Sequence, residues 1–149
     1  MKVYHIIENL DNSYGGPAKS VPYLAKGLGE LSIENTLLSV QNNENFSNEV
    51  IKKYNLSWYS FSFKFFNKLK FSPKLLNYIN VCINVDKTFI LHSHNLWNFI
   101  AFLAFYFSKR NSIYSIISVR GSLYGWSLSQ SYFKKKIAWV LFQKKSLNN

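Results

Sequence analysis

Two adjacent glycines followed by a proline give the first chemical signal in the chain. Gly15, Gly16 and Pro17 separate a short apolar run from a segment whose apolar residues recur with helical spacing. A strand that turns through glycine into a helix presents free backbone N–H groups and the positive end of the helix dipole. Pro17 suits the first turn of a helix, where no backbone donor is needed. The pattern predicts a loop that binds an anion or a phosphorylated sugar, and a tight turn without a ligand explains it equally well.

Two histidines stand at the end of a second apolar run. His92 and His94 are two residues apart, so in extended chain their side chains point the same way and could share a metal ion. No carboxylate or thiolate is near them in the sequence and His5 belongs to a different predicted strand, so we expect no metal. A neutral histidine at a strand end suits a hydrogen bond to a sugar hydroxyl or a phosphate. His94 is the better candidate, because His92 fits a ring satisfied by backbone groups.

An arginine ends a third apolar run. Arg120 is followed by Gly121, which permits close approach of the backbone. A guanidinium is planar and permanently charged, which suits phosphate or carboxylate. An ion pair with Glu8 or Asp11 is the alternative interpretation. The run from Tyr124 to Trp126 then offers an aromatic surface on which a sugar ring or an apolar tail could lie.

These loops punctuate an alternation of strands and helices. Strands are predicted at residues 3–8, 34–40, 56–61, 88–92 and 113–119, and helices at 17–28, 73–85, 97–107 and 132–146. The alternation predicts one α/β domain over residues 1–149 with a Rossmann-like, doubly wound parallel sheet. Ligands of such sheets bind beyond the carboxyl ends of the strands. We expect the strand at 113–119 to be buried, and the last helix to bury Phe133, Ile137, Val140 and Leu141.

The net charge of +11 implies an anionic partner, which could be nucleic acid, an acidic membrane or a phosphorylated substrate. Residues 59–71 interleave aromatic residues with lysines, which predicts a patch for an anionic membrane surface; a partly buried loop with solvated lysines is the alternative. The patch consists of Lys64, Phe65, Phe66, Lys68 and Lys70.

The cellular location follows from further absences in the sequence. The apolar run at 99–107 is about half the ~20 residues that a membrane-spanning helix needs. Cys82 is the only cysteine, so no disulfide forms within the chain, and we see no signal peptide. We expect a cytoplasmic protein, which the patch would place on the inner face of the cell membrane.

Three blocks of sequence together resemble the N-terminal half of a family-4-type glycosyltransferase with the GT-B fold. They are the Gly15-Gly16-Pro17 opening with Ala-Lys-Gly-Leu at 25–28, the His-Ser-His-Asn-Leu-Trp block at 92–97, and residues 117–126 continued by 134–143. The last block is fairly specific, because a similar Arg-Gly, Trp and Lys-Lys series follows the fifth strand in the branch it resembles. The resemblance covers nearly the whole chain and is weakest between residues 41 and 86.

The resemblance implies transfer of a sugar from a nucleotide-sugar to a glycan or lipid-linked glycan acceptor, as in surface polysaccharide synthesis. Such transfer retains the anomeric configuration and usually needs no metal, so the nucleotide-sugar is a co-substrate and we expect no cofactor. In the family the N-terminal domain shapes the acceptor site and its Gly-Gly loop, here Gly15 and Gly16, lies near the donor phosphates. We further expect His94, Asn95 and Trp97 at the acceptor rim, with Arg120, Gly121 and Trp126 beside it.

Arg120 and His94 are the candidates for a catalytic role. Many relatives have a histidine where this chain has Arg120, so that role does not carry over directly and either residue could assist the reaction. The family's second Rossmann-like domain, which supplies most nucleotide contacts, has no counterpart in these 149 residues. We therefore expect no activity from the chain alone, which would be a partner-dependent subunit or a non-catalytic remnant.

Two other functions fit parts of the sequence. A basic nucleic-acid-binding module would use the charge and the aromatic residues, although no helix-turn-helix, zinc or RNP-type signature is present. A dinucleotide-dependent oxidoreductase is disfavoured, because no Gly-x-Gly-x-x-Gly follows the first strand and no acidic residue closes the second.

Overall fold

The computed structural model describes residues 1–41, 48–62, 71–140 and Lys144. Its centre is a five-stranded sheet in which every neighbouring pair is parallel. The strands are β1 (Lys2–Ile7), β2 (Glu34–Ser39), β3 (Trp58–Ser60), β4 (Phe89–His94) and β5 (Tyr114–Ser118). Their order is β3-β2-β1-β4-β5, so the chain winds outward from β1 first in one direction and then in the other. The predicted Rossmann-like α/β fold is confirmed.

Helices on both faces connect the strands. They are α1 (Gly16–Glu30), α2 (Glu49–Lys53), α3 (Pro73–Val85), α4 (Phe99–Asn111), α5 (Gly125–Ser129) and α6 (Tyr132–Ala138), and a short 3-10 helix covers Asn12–Tyr14. Three of them begin at a side-chain cap: Asn48, Ser72 and Asn98 each accept a hydrogen bond from the backbone N–H three residues later. The sequence therefore fixes these helix starts locally.

The core has two parts, one on each face of the sheet. On one face α3 and α4 pack against alternate residues of β1, β2 and β4, with Ile79 and Phe107 almost fully buried. On the other face Val21 and Ala25 of α1 pack against Ile7, Leu37 and Ile51. Because β1 is covered on both faces, its sequence is nearly continuous in apolar residues, as is typical of a central parallel strand.

The edge strand β5 differs from its prediction. Tyr114 is 81% exposed and Ile116 is 46% exposed, so the expectation that this strand is buried is wrong. Both residues lie on the face where α1 covers β1 and β2, and α1 packs mainly against these two strands. Helix α4 packs against β5 from the opposite face. An apolar strand sequence thus marks a parallel sheet without showing how completely it is covered.

The last helix also differs from its prediction. Phe133, Ile137 and Val140 are 79%, 59% and 68% exposed, so the expected buried stripe is wrong for these three residues. Leu141, the fourth, lies outside the described residues. Helix α6 packs beside α5 at the margin of the molecule, where the core does not reach it.

Two other predictions concern membranes. The patch at Lys64, Phe65, Phe66, Lys68 and Lys70 lies outside the described residues. Among the helices that are described, none combines the length and the apolarity required to cross a membrane, in keeping with the expectation for residues 99–107.

Candidate functional site

Three loops that the sequence singles out meet in one cleft. The cleft has a volume of about 670 Å³ and lies beyond the carboxyl ends of β1, β4 and β5. Strands β1 and β4 are neighbours in the sheet, and the chain leaves them toward opposite edges, which makes this the topological switch point where such folds bind ligands. The lining includes Gly16, Ser20, Asn95, Arg120, Tyr124 and Trp126.

The glycine loop is built by local hydrogen bonds. The Asp11 carboxylate accepts from the Ser13 backbone N–H at 2.9 Å and starts the short 3-10 helix. Gly15 then turns the chain with φ of 94°, a conformation that favours glycine. Helix α1 begins at Gly16, and no side chain of the described residues caps its first N–H groups. The positive end of a fifteen-residue helix therefore borders the cleft.

Buried polar residues hold this loop in place. The Asn48 side chain is fully buried and donates to the Leu10 carbonyl at 2.6 Å and to the Ala18 carbonyl at 3.1 Å. Glu8 accepts from the Tyr14 hydroxyl and from the Asn98 side-chain amide, at 2.9 and 2.8 Å. The glycine loop is thereby joined both to α2 and to the start of α4.

The loops after β4 and β5 are joined to each other. The Asn95 backbone N–H donates to the Ser118 carbonyl at 2.9 Å, and the Ser122 hydroxyl donates to the Asn95 side-chain oxygen. The indole N–H of Trp97 donates to the Ser122 carbonyl at 2.9 Å. Asn95 and Arg120 therefore face the cleft from loops that hold one another in position.

Three of the seven non-glycine residues that have a positive φ among the described residues lie in these two loops. Asn95, Trp97 and Arg120 have φ values of 99°, 49° and 52°, in the region that residues other than glycine rarely adopt. Each such conformation costs on the order of 1–3 kcal/mol and persists only where the surroundings enforce it. Strain of this kind is commonly found at functional sites, which supports a role for the cleft.

Arg120 reaches from the cleft surface toward the interior of the sheet. Its Nη1 donates to the Ser20 hydroxyl at 2.8 Å, and its Nη2 donates to the His94 Nδ1 at 3.0 Å. The alternative ion pair with Glu8 or Asp11 does not form, since no carboxylate in the described ranges lies within ion-pair distance of this guanidinium. Burial lowers the pKa of Arg120 from its ordinary value, and an arginine still carries its charge at neutral pH.

All three histidines of the chain lie together behind Arg120. The predicted strand end at His92 is two residues early, because β4 continues to His94. His5 pairs with His92 in register, so the rings of His5, His92 and His94 share one face. The His94 Nε2 lies 3.1 Å from the His5 Nδ1, and the His92 Nε2 lies 2.7 Å from the Ser118 hydroxyl. The partner of His92 is thus a side chain rather than the expected backbone group.

Burial keeps these imidazoles neutral. Burial is the largest cause, and the Arg120 guanidinium and, for His5 and His94, the neighbouring histidines act in the same direction because each disfavours another positive charge close by. Together they lower the pKa of His5 to about 3, that of His92 to about 4 and that of His94 to about 2.

The cluster has the composition of a metal site but not its bonding. One ring nitrogen from each of the three histidines lies within 4.8 Å of the others. Arg120 can only donate, so the His94 Nδ1 must accept and a neutral His94 must carry its proton on Nε2. That nitrogen, which faces His5, has no lone pair for a metal while the contact with Arg120 persists. The contacts present are those of a hydrogen-bonded chain that runs from Arg120 through His94 to His5.

The predicted site residues occupy different layers of the site. The cleft is lined by Gly16, Asn95, Arg120, Gly121 and Trp126. Gly15 is exposed and directly precedes Gly16 in the chain. His94 is fully buried behind Arg120, and Trp97 supports the loop that carries Ser122.

Sequence reasoning did not assign His5 or Ser20 to the site. The sequence signal for His5 would have been the register of β1 against β4, which places it opposite His92. Ser20 lies on the first turn of α1 and could have been found from helical spacing after the glycine loop. Tyr124, which the sequence places on the same aromatic rim as Trp126, lines the cleft beside it.

Fold and cleft together define a doubly wound α/β domain with a candidate ligand site at its switch point. No protein-family model, curated protein or solved structure matches the chain.

Proposed function

We propose that this chain is the acceptor-side domain of a retaining glycosyltransferase, and that its cleft binds a glycan or lipid-linked glycan acceptor. The observation that carries the proposal is the cleft itself, where a guanidinium, a helix N-terminus and exposed aromatic rings converge at the switch point of the sheet. The sequence resemblance supports it, because the blocks that carry the resemblance supply this lining.

The rim has the chemistry of a carbohydrate site. Trp126 and Tyr124 are 78% and 75% exposed, so their rings can receive the apolar face of a sugar. Ser20, Asn95 and Ser127 provide hydroxyl and amide groups around them that can bond to sugar hydroxyls. An apolar surface beside a few polar groups is a common arrangement in ligand sites.

Gly16 also supports a ligand at the helix N-terminus. A Cβ atom at this position would meet nothing within 4 Å in the described structure, and its φ lies outside the left-handed region. Packing and backbone conformation therefore do not explain why the residue is glycine. A ligand that approaches the backbone closely would explain it.

Transfer itself would require a second domain. In this proposal the cleft supplies the acceptor wall, and a nucleotide-sugar binds only when a donor-binding domain faces it. Transition-state stabilisation needs groups from both walls, so the isolated chain binds acceptor without transferring sugar.

The lysine and phenylalanine patch extends the proposal to a membrane partner. It would hold the domain on the cytoplasmic face of an anionic membrane, close to lipid-linked acceptors. Changing Lys64, Lys68 and Lys70 to Gln should weaken sedimentation with anionic vesicles. The same change at Lys52, Lys74 and Lys87, which are exposed, removes equal charge and should have less effect. Equal loss in both variants would exclude a localised patch.

Acceptor binding can be tested with one substitution and a matched control. Trp126→Ala should lower the affinity for oligosaccharides about fivefold, ~1 kcal/mol, in a calorimetric panel that includes a polyprenyl-diphosphate-linked sugar. Tyr114→Ala removes an equally exposed ring on β5 that is not part of the cleft lining, and it should leave affinity unchanged. Absence of glycan binding, or an equal loss in the control, contradicts the proposal. Tight oligonucleotide binding with a steep salt dependence would instead favour a nucleic-acid-binding module.

A further inference from the structure

We infer that His5 and His94 form a buried positioning relay that holds the Arg120 guanidinium in the cleft, with its positive charge uncompensated by any carboxylate of the described residues. The relay makes Arg120 the binding point for an anionic group, such as a phosphate, on whatever occupies the cleft. The relay stands on geometry alone, whereas the identification of that occupant as a phosphorylated acceptor rests on the proposed function.

The hydrogen-bond directions in the relay follow from one fact. An arginine has five N–H donors and no acceptor, so the contact of its Nη2 with His94 requires a lone pair on the His94 Nδ1. A neutral His94 then carries its proton on Nε2 and donates to the His5 Nδ1 at 3.1 Å. His5 in turn carries its proton on Nε2. The chain runs from Arg120 through His94 to His5 with each tautomer determined.

Burial makes this arrangement rigid. His5 and His94 are both fully buried, and their ring planes lie within 23° of parallel with centroids 5.3 Å apart, as suits a hydrogen bond between ring nitrogens. The His5 Nε2 is buried without a hydrogen-bond partner among the described residues. A buried donor without an acceptor destabilises the folded state. The His5 ring therefore contributes through its Nδ1, which accepts the hydrogen bond from His94, and not through stability.

The relay also assigns His94 a role other than proton transfer. Both of its ring nitrogens are engaged, and the side chain has no exposed surface with which to contact a substrate. His94 therefore acts through Arg120 as a positioning residue.

The charge of Arg120 remains available because both of its partners are neutral. The Ser20 hydroxyl and the His94 imidazole occupy two donors, and three N–H groups of the guanidinium remain. Within the described ranges no carboxylate compensates the charge, and the N-terminus of α1 adds positive potential from the same side. An anion in the cleft gains from both sources.

Histidine side-chain NMR tests the relay on the 149-residue chain without reference to any activity. Long-range ¹⁵N–¹H spectra at pH 7 should show His5 and His94 neutral, each with the proton on Nε2 and a bare Nδ1. Arg120→Leu removes the donor that fixes His94, so a population protonated on Nδ1 should appear. Arg110→Leu removes the other arginine of the chain, which contacts Tyr106 on α4, and should leave the ring signals unchanged.

Anion binding and rescue test what the relay does. Pyrophosphate should shift the Arg120 side-chain signals of the unaltered protein. His5→Leu should weaken that binding about tenfold, and His5→Asn, whose amide oxygen can replace the Nδ1 acceptor, should restore most of it.

Two results would overturn the relay. One is a His94 ring protonated on Nδ1 in the unaltered protein. The other is stoichiometric Zn²⁺ binding that shifts all three rings and releases Arg120, which would make the cluster a metal site. Intact ring signatures and pyrophosphate binding in a protein that binds no glycan would count against the proposed function alone.

Discussion

Arg120 is the residue through which the cleft and the interior of the sheet are connected. Its guanidinium contacts Ser20 on α1 and His94 on β4, so it joins two elements that flank the cleft. Its backbone is held at φ of 52°, which directs the side chain back across the ends of the strands. Because charge and strain coincide at this residue, we expect the proposed function to depend on Arg120 more than on any other side chain of the cleft.

The first prediction concerns turnover. In an enzyme that pairs this domain with a donor-binding domain, Arg120→Ala should lower kcat about 100-fold, ~3 kcal/mol, because a preorganised charge near the developing negative charge is lost. The melting temperature should change by only a few degrees, since the residue lies at the surface. Steady-state kinetics measure the loss of kcat, and thermal unfolding measures the change in melting temperature. Turnover near that of the unaltered enzyme would remove Arg120 from the mechanism.

The histidine cluster predicts how stability depends on pH. Its rings stay neutral in the folded protein, with pKa values of about 3, 4 and 2 for His5, His92 and His94. In the unfolded chain they titrate near pH ~6.5, so below that pH the unfolded state binds more protons and gains stability. The free energy of unfolding should fall as pH falls from 6.5 toward 4, by at most ~1.4 kcal/mol per pH unit for each ring.

Urea unfolding at pH 7, 6 and 5 measures this slope. Carboxylates contribute little in that window, because their ordinary pKa values lie near ~4. Replacement of His92 by Asn should reduce the slope by about one third. A free energy of unfolding that stays constant from pH 7 to pH 5 would show that the cluster is not buried and neutral.

At the scale of helices and strands, the positions of the histidine cluster and of the cleft loops depend on where the strands end and how they pair. The apolar run at residues 88–92 predicts β4, but the strand continues through polar His94 because β1 pairs with it as far as Ser93 and β5 as far as His94. His5 joins the site only through this register. The periodicity of apolar residues predicts the helices and strands. Which strands pair with each other depends on tertiary contacts that the local sequence does not encode.

Two isoleucines on different helices test the contrast between core and margin. Ile79 of α3 is 1% exposed, whereas Ile137 of α6 is 59% exposed. Ile79→Ala should lower the free energy of unfolding by about 2–5 kcal/mol, because it leaves a cavity in the core. Ile137→Ala should change it by less than ~0.5 kcal/mol. A comparable loss for Ile137→Ala in urea unfolding would mean that α6 is packed after all.

At the scale of the molecule, the fold was predictable and the coverage of the sheet was not. Alternating elements with turn signals suffice for a doubly wound sheet, because right-handed crossovers leave few other topologies. Apolar content did not reveal that β5 and α6 leave Tyr114 and Phe133 exposed, since apolar side chains form much of any protein surface. The position of the cleft was also predictable, because ligands of doubly wound sheets bind beyond the carboxyl ends of the strands and its loops follow those ends.

A chemical-shift map can test whether the loops after β1, β4 and β5 together form an acceptor site. ¹⁵N-labelled protein would be titrated with an oligosaccharide and with the corresponding lipid-diphosphate-linked sugar in detergent. The largest changes should fall on the Gly16, Asn95 and Gly121 amides and on the Trp126 indole, and they should saturate together. Saturable changes confined to β5 and α6, or an absence of any saturable change, would contradict this expectation.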